Sequence, residues 1–343
     1  MVENTDAENT PDFGLENISI IISRYNENLS WLVGSNILIF GSKGWIGKKV
    51  VTLLEKIPNV SVYCAKSRAD NIEEIKKELK SYENESSKIT HIMSFIGRTH
   101  GIYDNQKITT IDYLEKPGKL EENVRDNLFA PISLAILCKE QSIHFTYLGT
   151  GCIFEFDKEH PLGEEINGFT EDSKPNFVGS AYSVVKGFTD LLMHSFGDSV
   201  LNCRIRMPIT DEINERNFIT KITNYKKICS IHNSMTVLNE LLPLMIDMAL
   251  KYETGTINLT NPGLITHNEI LELYKEIVDP EFSWSNFTIE EQNDVLLSKR
   301  SNNFLDTNKL QQKYPNIKSI KDSVKDILIS MKHHLISVAD KEP

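Results

Sequence analysis

The sequence predicts an α/β fold with a doubly wound parallel sheet and a smaller second lobe. Short apolar runs rich in β-branched residues alternate with longer stretches of helical period. Strands and helices that alternate in this way pack as a parallel sheet with helices on both faces. Glycine-rich turns follow several of the apolar runs, at the carboxyl ends of strands, where such sheets bind ligands.

Length and charge limit the class of protein. The chain has 343 residues, which suits about two domains with an ordinary core. Its 37 Lys and Arg residues stand against 48 Asp and Glu, a net charge of -11. Because an acidic surface repels phosphate backbones and anionic lipids, we expect no nucleic-acid or membrane partner. Local cations and backbone N–H groups must therefore hold any anionic ligand.

Composition also indicates the compartment. The five cysteines form no CxxC or zinc-finger spacing, which favours free thiols in a reducing compartment. The histidines show no ligand spacing, so we expect no metal. No apolar run reaches the ~18 residues of a membrane span, and the acidic N-terminus does not resemble a signal peptide. We therefore expect a cytoplasmic protein.

Residues 1–34 form an N-terminal extension. The first 14 are polar and favour disorder. Apolar residues then recur at spacings of three and four, along one face of a helix: Leu15, Ile18, Ile22, Tyr25, Leu29 and Leu32. This face is either an oligomerisation helix or a helix packed on its own domain. We favour the second, because a coiled coil usually needs at least ~3 heptads.

The first predicted strand, Asn36–Phe40, runs directly into a glycine turn and an amphipathic helix. The turn has the spacing GxxGxxG. Gly41 permits the tight turn, Gly44 lets backbone approach a pyrophosphate, and Gly47 lets the helix pack close to the strand. The helix N-terminus adds N–H donors. We expect a dinucleotide site with these contact residues: Gly41, Ser42, Lys43, Gly44, Trp45, Ile46 and Gly47. An ordinary strand-to-helix turn is the alternative.

The second predicted strand, Ser61–Ala65, ends where an NAD site carries an acidic residue for the ribose 2′-OH. Lys66, Ser67 and Arg68 stand there instead. Because a cation suits a 2′-phosphate, we expect NADPH, with NADH as the alternative. Arg68 is the expected contact, and the other interpretation is a solvated loop charge.

Three more predicted strands continue the alternation: His91–Ile96, His144–Leu148 and Val200–Ile205. Gly97 follows the first of them and is expected to contact the cofactor. The helical stretch Leu120–Gln141 contains Pro131, which predicts a kink or a break. Since the carboxyl ends of parallel strands meet at one edge, we expect Gly41, Gly97 and Thr150 to lie close together.

Tyr182 and Lys186 lie four apart, on one face of a predicted helix. An ammonium beside a phenol lowers the pKa of the phenol. A tyrosine tuned in this way exchanges a proton with a carbonyl oxygen while a nicotinamide delivers hydride. A YxxxK pattern alone is common, and a surface tyrosine near a lysine is the alternative. The preceding glycine turn and Thr150 favour the catalytic interpretation.

The GxxGxxG turn, Thr150 and the YxxxK pair together resemble the extended short-chain dehydrogenase/reductases, which have a Rossmann fold. The resemblance implies that Thr150, Tyr182 and Lys186 are catalytic and that Asn127 supports them. It also implies that Lys186 binds the nicotinamide ribose. The segment Arg300–Asp306 resembles the RP-x-x-S/N-x-LD segment of dTDP-4-dehydrorhamnose reductases, with a serine in place of the proline.

Further segments, among them GSKGWIG, LGTGCIFEFDKEHPLG and KPNFVGSAYSVVK, are similar to the bifunctional nucleotide-4-keto-6-deoxyglucose 3,5-epimerase/4-reductases. The similarity runs from about Asn36 to near Lys325. It implies that the chain converts a nucleotide-linked 4-keto-6-deoxy-D-glucose to nucleotide-L-rhamnose. UDP is the favoured nucleotide. The similarity also implies a homodimer, and a substrate that comes from a separate 4,6-dehydratase, since no such domain precedes the similar region.

Epimerisation at C3 and C5 of a 4-keto sugar needs an acid, a base and a stabilised enolate oxygen. Tyr182 and Thr150 can donate to the C4 oxygen. Cys152, two residues past Thr150, points to the same side if the strand stays extended. The resemblance, which extends to GDP-fucose synthases, implies that Cys152 works with Lys221. From the residues alone, a small buried thiol and a solvated lysine are the alternatives.

Other residues are expected to hold the substrate. Arg300 is the candidate for the pyrophosphate, because a guanidinium matches phosphate bidentately. Asn217 is expected to donate to the diphosphate or the sugar. Thr99 and His100, just past the third strand, are expected to face the sugar, with an idle loop histidine as the alternative for His100.

These predictions divide the chain as follows: extension 1–34, dinucleotide-binding domain 35–206 and 234–262, and substrate-binding lobe 207–233 and 263–343. Two other functions stay open: a plain 4-ketoreductase or 4-epimerase of the same superfamily, and a non-catalytic regulatory subunit like that of methionine adenosyltransferase. The presence of Cys152 and Lys221 argues against the first. The intact Thr150, Tyr182 and Lys186 argue against the second.

Overall fold

The computed structural model describes residues 34–84, 86–163 and 165–339. The helix predicted within the first 34 residues falls outside this part of the chain. The strands are β1 (Ser35–Phe40), β2 (Val60–Cys64), β3 (His91–Ser94), β4 (Gly101–Tyr103), β5 (Gln106–Ile108), β6 (His144–Thr150), β7 (Val200–Ile205), β8 (Pro208–Ile209), β9 (Thr236–Val237) and β10 (Gly255–Asn258).

The α-helices are α1 (Trp45–Leu54), α2 (Ile72–Lys80), α3 (Leu120–Val124), α4 (Ala130–Gln141), α5 (Ala181–Met193), α6 (Phe218–Thr223), α7 (Leu238–Leu250), α8 (His267–Ile277), α9 (Ile289–Val295), α10 (Asn308–Lys313) and α11 (Ile320–Ala339). Short 3₁₀ turns cover Ile111–Glu115 and His194–Phe196, and a π-helical turn covers Arg125–Phe129. No helix in the described ranges is long and apolar enough to cross a lipid bilayer.

Six strands form the main sheet, in the order β10-β7-β6-β3-β1-β2, and every neighbouring pair is parallel. The chain goes from β1 to β2 at one edge, then returns to the other side of β1 and continues outward. The direction of winding therefore reverses between β1 and β3. A sheet of this kind opens a crevice at that point, beyond the carboxyl ends of the strands. The predicted doubly wound parallel sheet is confirmed.

The sheet has a hydrophobic core on each face. Ile37 and Ile39 of β1 face one core, together with residues of α1 and α7. Leu38 and Phe40 face the other, together with residues of α4. Successive strand residues point to opposite faces, so a strand covered on both sides is apolar throughout. This double burial explains the uninterrupted apolar run that marks β1 in the sequence.

A third core lies in a smaller lobe outside the sheet. Helices α6, α8 and α11 contribute Ile219, Ile222, Ile270, Leu271, Val324 and Leu328 to it. The residues of this core come mainly from the two segments assigned above to a substrate-binding lobe. The lobe thus exists as a packed unit, while its boundaries stay a prediction.

The long helix predicted over residues 120–141 is interrupted. Helices α3 and α4 are separated by the π-helical turn, and Pro131 is the second residue of α4. Proline has no backbone N–H and its ring clashes with the carbonyl four residues earlier. Here a π turn precedes the proline, and the helix continues past it. The expected kink is therefore a π turn, and it contains the buried Asn127.

Candidate active site

The glycine turn packs as the sequence predicts. Gly41 has a φ of 80°, a conformation that favours glycine. A Cβ on Gly47 would lie 2.1 Å from the carbonyl oxygen of Gly41, so a larger residue would displace the turn. Gly44 precedes α1 and has no side chain to cap its first N–H groups. These N–H groups can therefore bind a phosphate.

A cavity of about 700 Å³ lies at the carboxyl end of the sheet and reaches the smaller lobe. Its lining includes the predicted cofactor residues Lys43, Gly44, Trp45, Ile46, Gly47 and Gly97. It also includes the predicted catalytic and substrate residues Thr99, His100, Thr150, Cys152, Tyr182, Lys186, Lys221 and Arg300. The other predicted site residues, Gly41, Ser42, Arg68, Asn127 and Asn217, do not line it.

Thr150, Cys152 and Tyr182 form a connected group at the end of β6. The Thr150 hydroxyl accepts a hydrogen bond of 3.0 Å from the Cys152 backbone N–H, and it lies close enough to the Tyr182 phenol to lower the pKa of that phenol. Burial raises the pKa of Tyr182, and the nearby Cys152 adds to the effect. Tyr182 is therefore a protonated phenol that can donate to an oxygen in the cavity. The expected lowering of its pKa by Lys186 is wrong.

Lys186 has a different partner from the predicted one. Its ammonium donates a hydrogen bond to the hydroxyl of Tyr147, a buried residue of β6, and lies 4.6 Å from the centre of that ring. Burial lowers the pKa of Lys186 to about 8, against the opposing charge of Asp190. Sequence reasoning missed Tyr147, because a strand tyrosine 39 positions away gives no local signal.

Asn127 does not line the cavity but fixes one of its walls. Its side chain accepts from the backbone N–H of Arg98 at 2.9 Å and donates to the Arg98 carbonyl at 2.8 Å. Its own carbonyl accepts a bond of 2.6 Å from Thr189 of α5. Asn127 thus joins the loop after β3, which carries Thr99 and His100, to the helix that carries Tyr182.

The smaller lobe contributes several basic side chains to the cavity, among them Lys221, Arg216 and Arg300. Burial lowers the pKa of Lys221 on α6, and the charges of Arg216 and Arg300 lower it further. Arg216, which sequence reasoning missed, donates a hydrogen bond of 2.6 Å to Nδ1 of His100. The available signal was that Arg216 is a cation next to Asn217, in a segment predicted to bind the anionic substrate.

Arg300 reaches the cavity through a tight local network. Its guanidinium pairs with Asp112 at 2.5 Å and donates to the Ser298 carbonyl at 2.9 Å. The next residue, Ser301, replaces the proline of the similar reductases. Its hydroxyl accepts from Arg206 at 3.0 Å and donates to the Phe154 carbonyl at 2.5 Å. The serine therefore fixes the backbone here by hydrogen bonds.

The structure corrects the prediction for Asn217. This side chain is 0 % exposed and caps the N-terminus of α6, where Oδ1 accepts from the Ile219 N–H. Nδ2 donates to the carbonyls of Thr210 and Glu212, at 2.8 and 2.7 Å. Its amide is fully used within the chain, so it cannot bind a sugar or diphosphate. It orients the helix that carries Lys221.

Arg68 lies outside the cavity, at the surface. Its side chain is 66 % exposed, and Nε and Nη2 each donate to Asp70 at 2.9 Å. A cofactor phosphate would have to compete with that carboxylate, and the predicted contact stays a prediction. In the described ranges no cluster of three or more His, Cys, Asp and Glu residues is arranged to hold a metal ion.

Comparisons with known proteins identify relatives of this chain. No protein-family profile matches the chain. Protein L780 of Acanthamoeba polyphaga mimivirus is 52% identical over 295 residues, which cover 86% of this chain and 98% of that protein. The crystal structure of the L780 UDP-rhamnose synthase matches with a TM-score of 0.80 and 51% identity, over 87% of this chain and 99% of that one.

A plant protein and a bacterial structure extend the comparison. The bifunctional dTDP-4-dehydrorhamnose 3,5-epimerase/dTDP-4-dehydrorhamnose reductase of Arabidopsis thaliana is 41% identical over 290 residues, 84% of this chain and 91% of that protein. A dTDP-4-dehydrorhamnose reductase from Clostridium acetobutylicum matches with a TM-score of 0.68, over 88% of this chain and 99% of that one. At 17% identity that structure supports the fold alone.

Proposed function

The chain belongs to the family of bifunctional nucleotide-4-keto-6-deoxyglucose 3,5-epimerase/4-reductases, and on that premise we propose that it makes nucleotide-L-rhamnose. The substrate is a nucleotide-linked 4-keto-6-deoxy-D-glucose, and UDP is the proposed nucleotide. One observation carries the proposal: a single cavity is lined by the glycine turn, by Thr150 and Tyr182, and by Cys152 and Lys221. Reductase and epimerase groups thus face the same space.

NADPH is the proposed cofactor, and when bound it supplies the hydride for C4. The glycine turn fits its pyrophosphate, because the uncapped N-terminus of α1 and the close approach at Gly47 leave a cradle of backbone N–H groups. Lys43 lines the cavity beside this cradle and adds a positive charge. Lys186 is proposed to hold the nicotinamide ribose. The preference for the 2′-phosphate is assigned to Arg68.

Tyr182 is the proposed proton donor of the reduction. Reduction of a ketone leaves an oxyanion at C4 that must take up a proton. The phenol carries its proton at neutral pH, and burial, which raises the pKa of Tyr182, keeps it protonated. The C4 alkoxide is a stronger base than the phenolate and can therefore take this proton. Thr150, whose hydroxyl lies near Tyr182, is the second proposed donor to the C4 oxygen.

Cys152 and Lys221 are the proposed acid and base of epimerisation. The C–H bonds at C3 and C5 are acidic because both are α to the ketone. The pKa of Lys221 is lowered by burial and neighbouring cations, so a larger share of this amine is free to take a proton. Cys152 is partly exposed to the cavity as a free thiol. While protons exchange, Tyr182 and Thr150 hold the enolate oxygen.

The substrate is proposed to come from a 4,6-dehydratase. A trifunctional Arabidopsis thaliana protein whose name includes UDP-glucose 4,6-dehydratase is 42% identical over 290 residues, and this chain spans 41% of its length. The 4-keto sugar that our proposed reaction uses is the product of that dehydration. Arg300 is the proposed contact of the diphosphate, for which it would exchange part of its pairing with Asp112.

We further propose a homodimer that forms through α3, α4 and α5. These helices and the π turn between α3 and α4 pack together and expose apolar side chains: Leu120, Val124, Phe129, Ile136, Phe188, Leu191 and Leu192. Phe188 is 59% exposed. Light scattering should give twice the chain mass for the wild type and a monomer for Phe188→Asp. A wild-type monomer would contradict the proposal.

The proposed function is tested by its product. The protein is incubated with UDP-4-keto-6-deoxyglucose and NADPH, and the product sugar is identified by NMR. We expect a 6-deoxy sugar inverted at C3 and C5 and reduced at C4, which is L-rhamnose. A product reduced at C4 without inversion would contradict the epimerase activity and leave a plain 4-ketoreductase. If C4 is not reduced at all, the proposed enzymatic activity is contradicted.

A further inference from the structure

Arg216 and His100 meet in the cavity from segments 116 positions apart in the chain. Nη1 of Arg216 lies 2.6 Å from Nδ1 of His100. A guanidinium has N–H donors and no acceptor. Nδ1 must therefore offer a lone pair, and a neutral ring then carries its single proton on Nε2. The contact fixes both the charge and the tautomer of His100.

The other groups around His100 favour the same state. Arg98 and Lys221 add positive charge near the ring, and burial and Arg216 lower the pKa of His100 to about 4. Glu215 is the one acidic group among these neighbours, and its carboxylate is occupied by Lys107 at 2.6 Å. Protonation of His100 would thus place a second cation against Arg216 without a free carboxylate to balance it.

The second nitrogen of His100 is available to a ligand. Nε2 makes no hydrogen bond within the described part of the chain, whereas Nδ1 contacts Arg216 and lies 3.2 Å from the Thr99 hydroxyl. His100 lines the cavity. An N–H group that is fixed in direction and lacks a partner in such a cavity is suited to an acceptor oxygen of a substrate.

Arg216 itself is held in place by its own loop. Its backbone N–H donates to the side chain of Asn214 at 2.9 Å, and the next residue is the buried cap of α6. Its Nε lies 3.7 Å from Glu215. The guanidinium therefore approaches His100 from a hydrogen-bonded corner of the smaller lobe, five residues before Lys221.

We propose that Arg216 is a positioning residue that holds His100 as a neutral imidazole with its proton on Nε2, and that this N–H donates a hydrogen bond to an oxygen of the sugar. The inference rests on the proposed function for the identity of the sugar. A neutral imidazole can stabilise charge that develops on an oxygen, as an oxyanion donor does. Because it is uncharged, it adds no further cation beside Lys221.

The first test is direct and needs no substrate. Two-bond ¹H–¹⁵N NMR of the ¹⁵N-labelled protein distinguishes the two tautomers, and the His100→Gln spectrum identifies the signal. We expect the Nε2–H form between pH 5 and 8 in the wild type and in Arg216→Lys, since an ammonium also only donates. In Arg216→Met, His100 should populate both tautomers and titrate nearer the ordinary pKa of a histidine. An Nδ1–H or charged His100 in the wild type would overturn the proposal.

The second test asks what the N–H does. Deuterium uptake at C3 and C5 of UDP-4-keto-6-deoxyglucose in D₂O measures epimerisation. A glutamine amide can take the place of the Nε2–H group, whereas an asparagine amide is too short to reach that position. The rate of deuterium uptake should therefore fall about 100-fold in His100→Asn and about tenfold or less in His100→Gln. His160→Gln is the matched control, because His160 lies outside this cavity with its Nδ1 bound to Asp157.

Two outcomes separate this inference from its alternatives. If Arg216→Met raises the KM for substrate and leaves the His100 tautomer unchanged, Arg216 acts on the diphosphate and the proposal is wrong. If the wild type takes up no deuterium and forms no product, the proposed function fails, while the NMR result still decides the tautomer. Equal losses in His100→Gln and His100→Asn would contradict the donor role of Nε2.

Discussion

Buried or half-buried basic side chains lie at both ends of the main sheet, and the set at the carboxyl end lines the cavity described above. His91 and His144 begin β3 and β6 at the amino end, with ring centres 5.3 Å apart. Lys186 and His100 lie at the carboxyl end. Burial lowers the pKa of all four, to about 3 for His91 and about 8 for Lys186. A shifted pKa alone therefore does not mark a functional site.

The two ends differ in what the buried nitrogens contact. Nε2 of His91 contacts the Ala249 carbonyl at 3.2 Å, and Nε2 of His144 contacts the Glu253 carbonyl at 2.7 Å. Those contacts tie the strands to the last turn of α7 and to the segment just after it. At the carboxyl end, Nε2 of His100 makes no hydrogen bond within the described ranges, and His100 lines the cavity. We infer that the amino end stabilises the sheet and that the carboxyl end carries the chemistry.

The largest effect is expected at the carboxyl end. Tyr182→Phe removes the proposed proton donor, so NADPH oxidation with UDP-4-keto-6-deoxyglucose should fall about 1,000-fold. His91→Gln, at the amino end, should leave the rate within about threefold. The rates of NADPH oxidation in the two variants are measured from the decrease in NADPH absorbance. Similar losses in both variants would remove the distinction between the two ends.

Gly47→Ala should give the next largest effect. The added Cβ would lie 2.1 Å from the Gly41 carbonyl oxygen, so the turn must move away from the helix N-terminus. We expect NADPH affinity to fall by about 100-fold, which is about 2.7 kcal/mol, as measured by fluorescence titration. Gly197→Ala is the control, because its Cβ would meet its nearest neighbour at 3.4 Å. Unchanged affinity in Gly47→Ala would refute the assigned phosphate cradle.

The amino end should appear in the pH dependence of stability. The pKa of His91 is lowered in the folded protein, so the unfolded chain binds more protons below the ordinary histidine value of 6.5. Stability should therefore fall as the pH drops from about 6.5 towards 4, by at most about 1.4 kcal/mol per pH unit for this residue. Urea unfolding at several pH values measures the slope. His91→Gln should reduce it, and an unchanged slope would contradict the role of His91.

The smallest effect is expected at Arg68. Because this guanidinium is exposed and already paired with Asp70, Arg68→Ala should weaken NADPH binding by about fivefold or less. NADH binding should stay unchanged, since it has no 2′-phosphate. Parallel titrations with both cofactors measure the ratio. If the affinity for NADH falls as much as that for NADPH, Arg68 stabilises the loop and does not contact the 2′-phosphate.

Local pattern predicted much of this molecule. The glycine turn, the alternation of strands with helices and the Tyr182–Lys186 spacing are all short-range features. In the structure, most of the glycine turn lines one cavity together with Tyr182 and Lys186. The partners of Lys186 and His100 were not predictable, because Tyr147 and Arg216 come from segments 39 and 116 positions away. Asn217 was misassigned for a physical reason: its amide is used to cap α6, and a sequence motif does not reveal that use.

The central claim is that one cavity carries out two separable reactions, and deuterium exchange tests it most directly. The wild type and Cys152→Ser are each incubated with UDP-4-keto-6-deoxyglucose in D₂O without NADPH, and NMR follows the protons at C3 and C5. We predict uptake at both carbons in the wild type, at least about 100-fold slower uptake in Cys152→Ser, and similar NADPH affinity in both. Equal uptake in the two proteins would remove Cys152 from the mechanism and contradict this account.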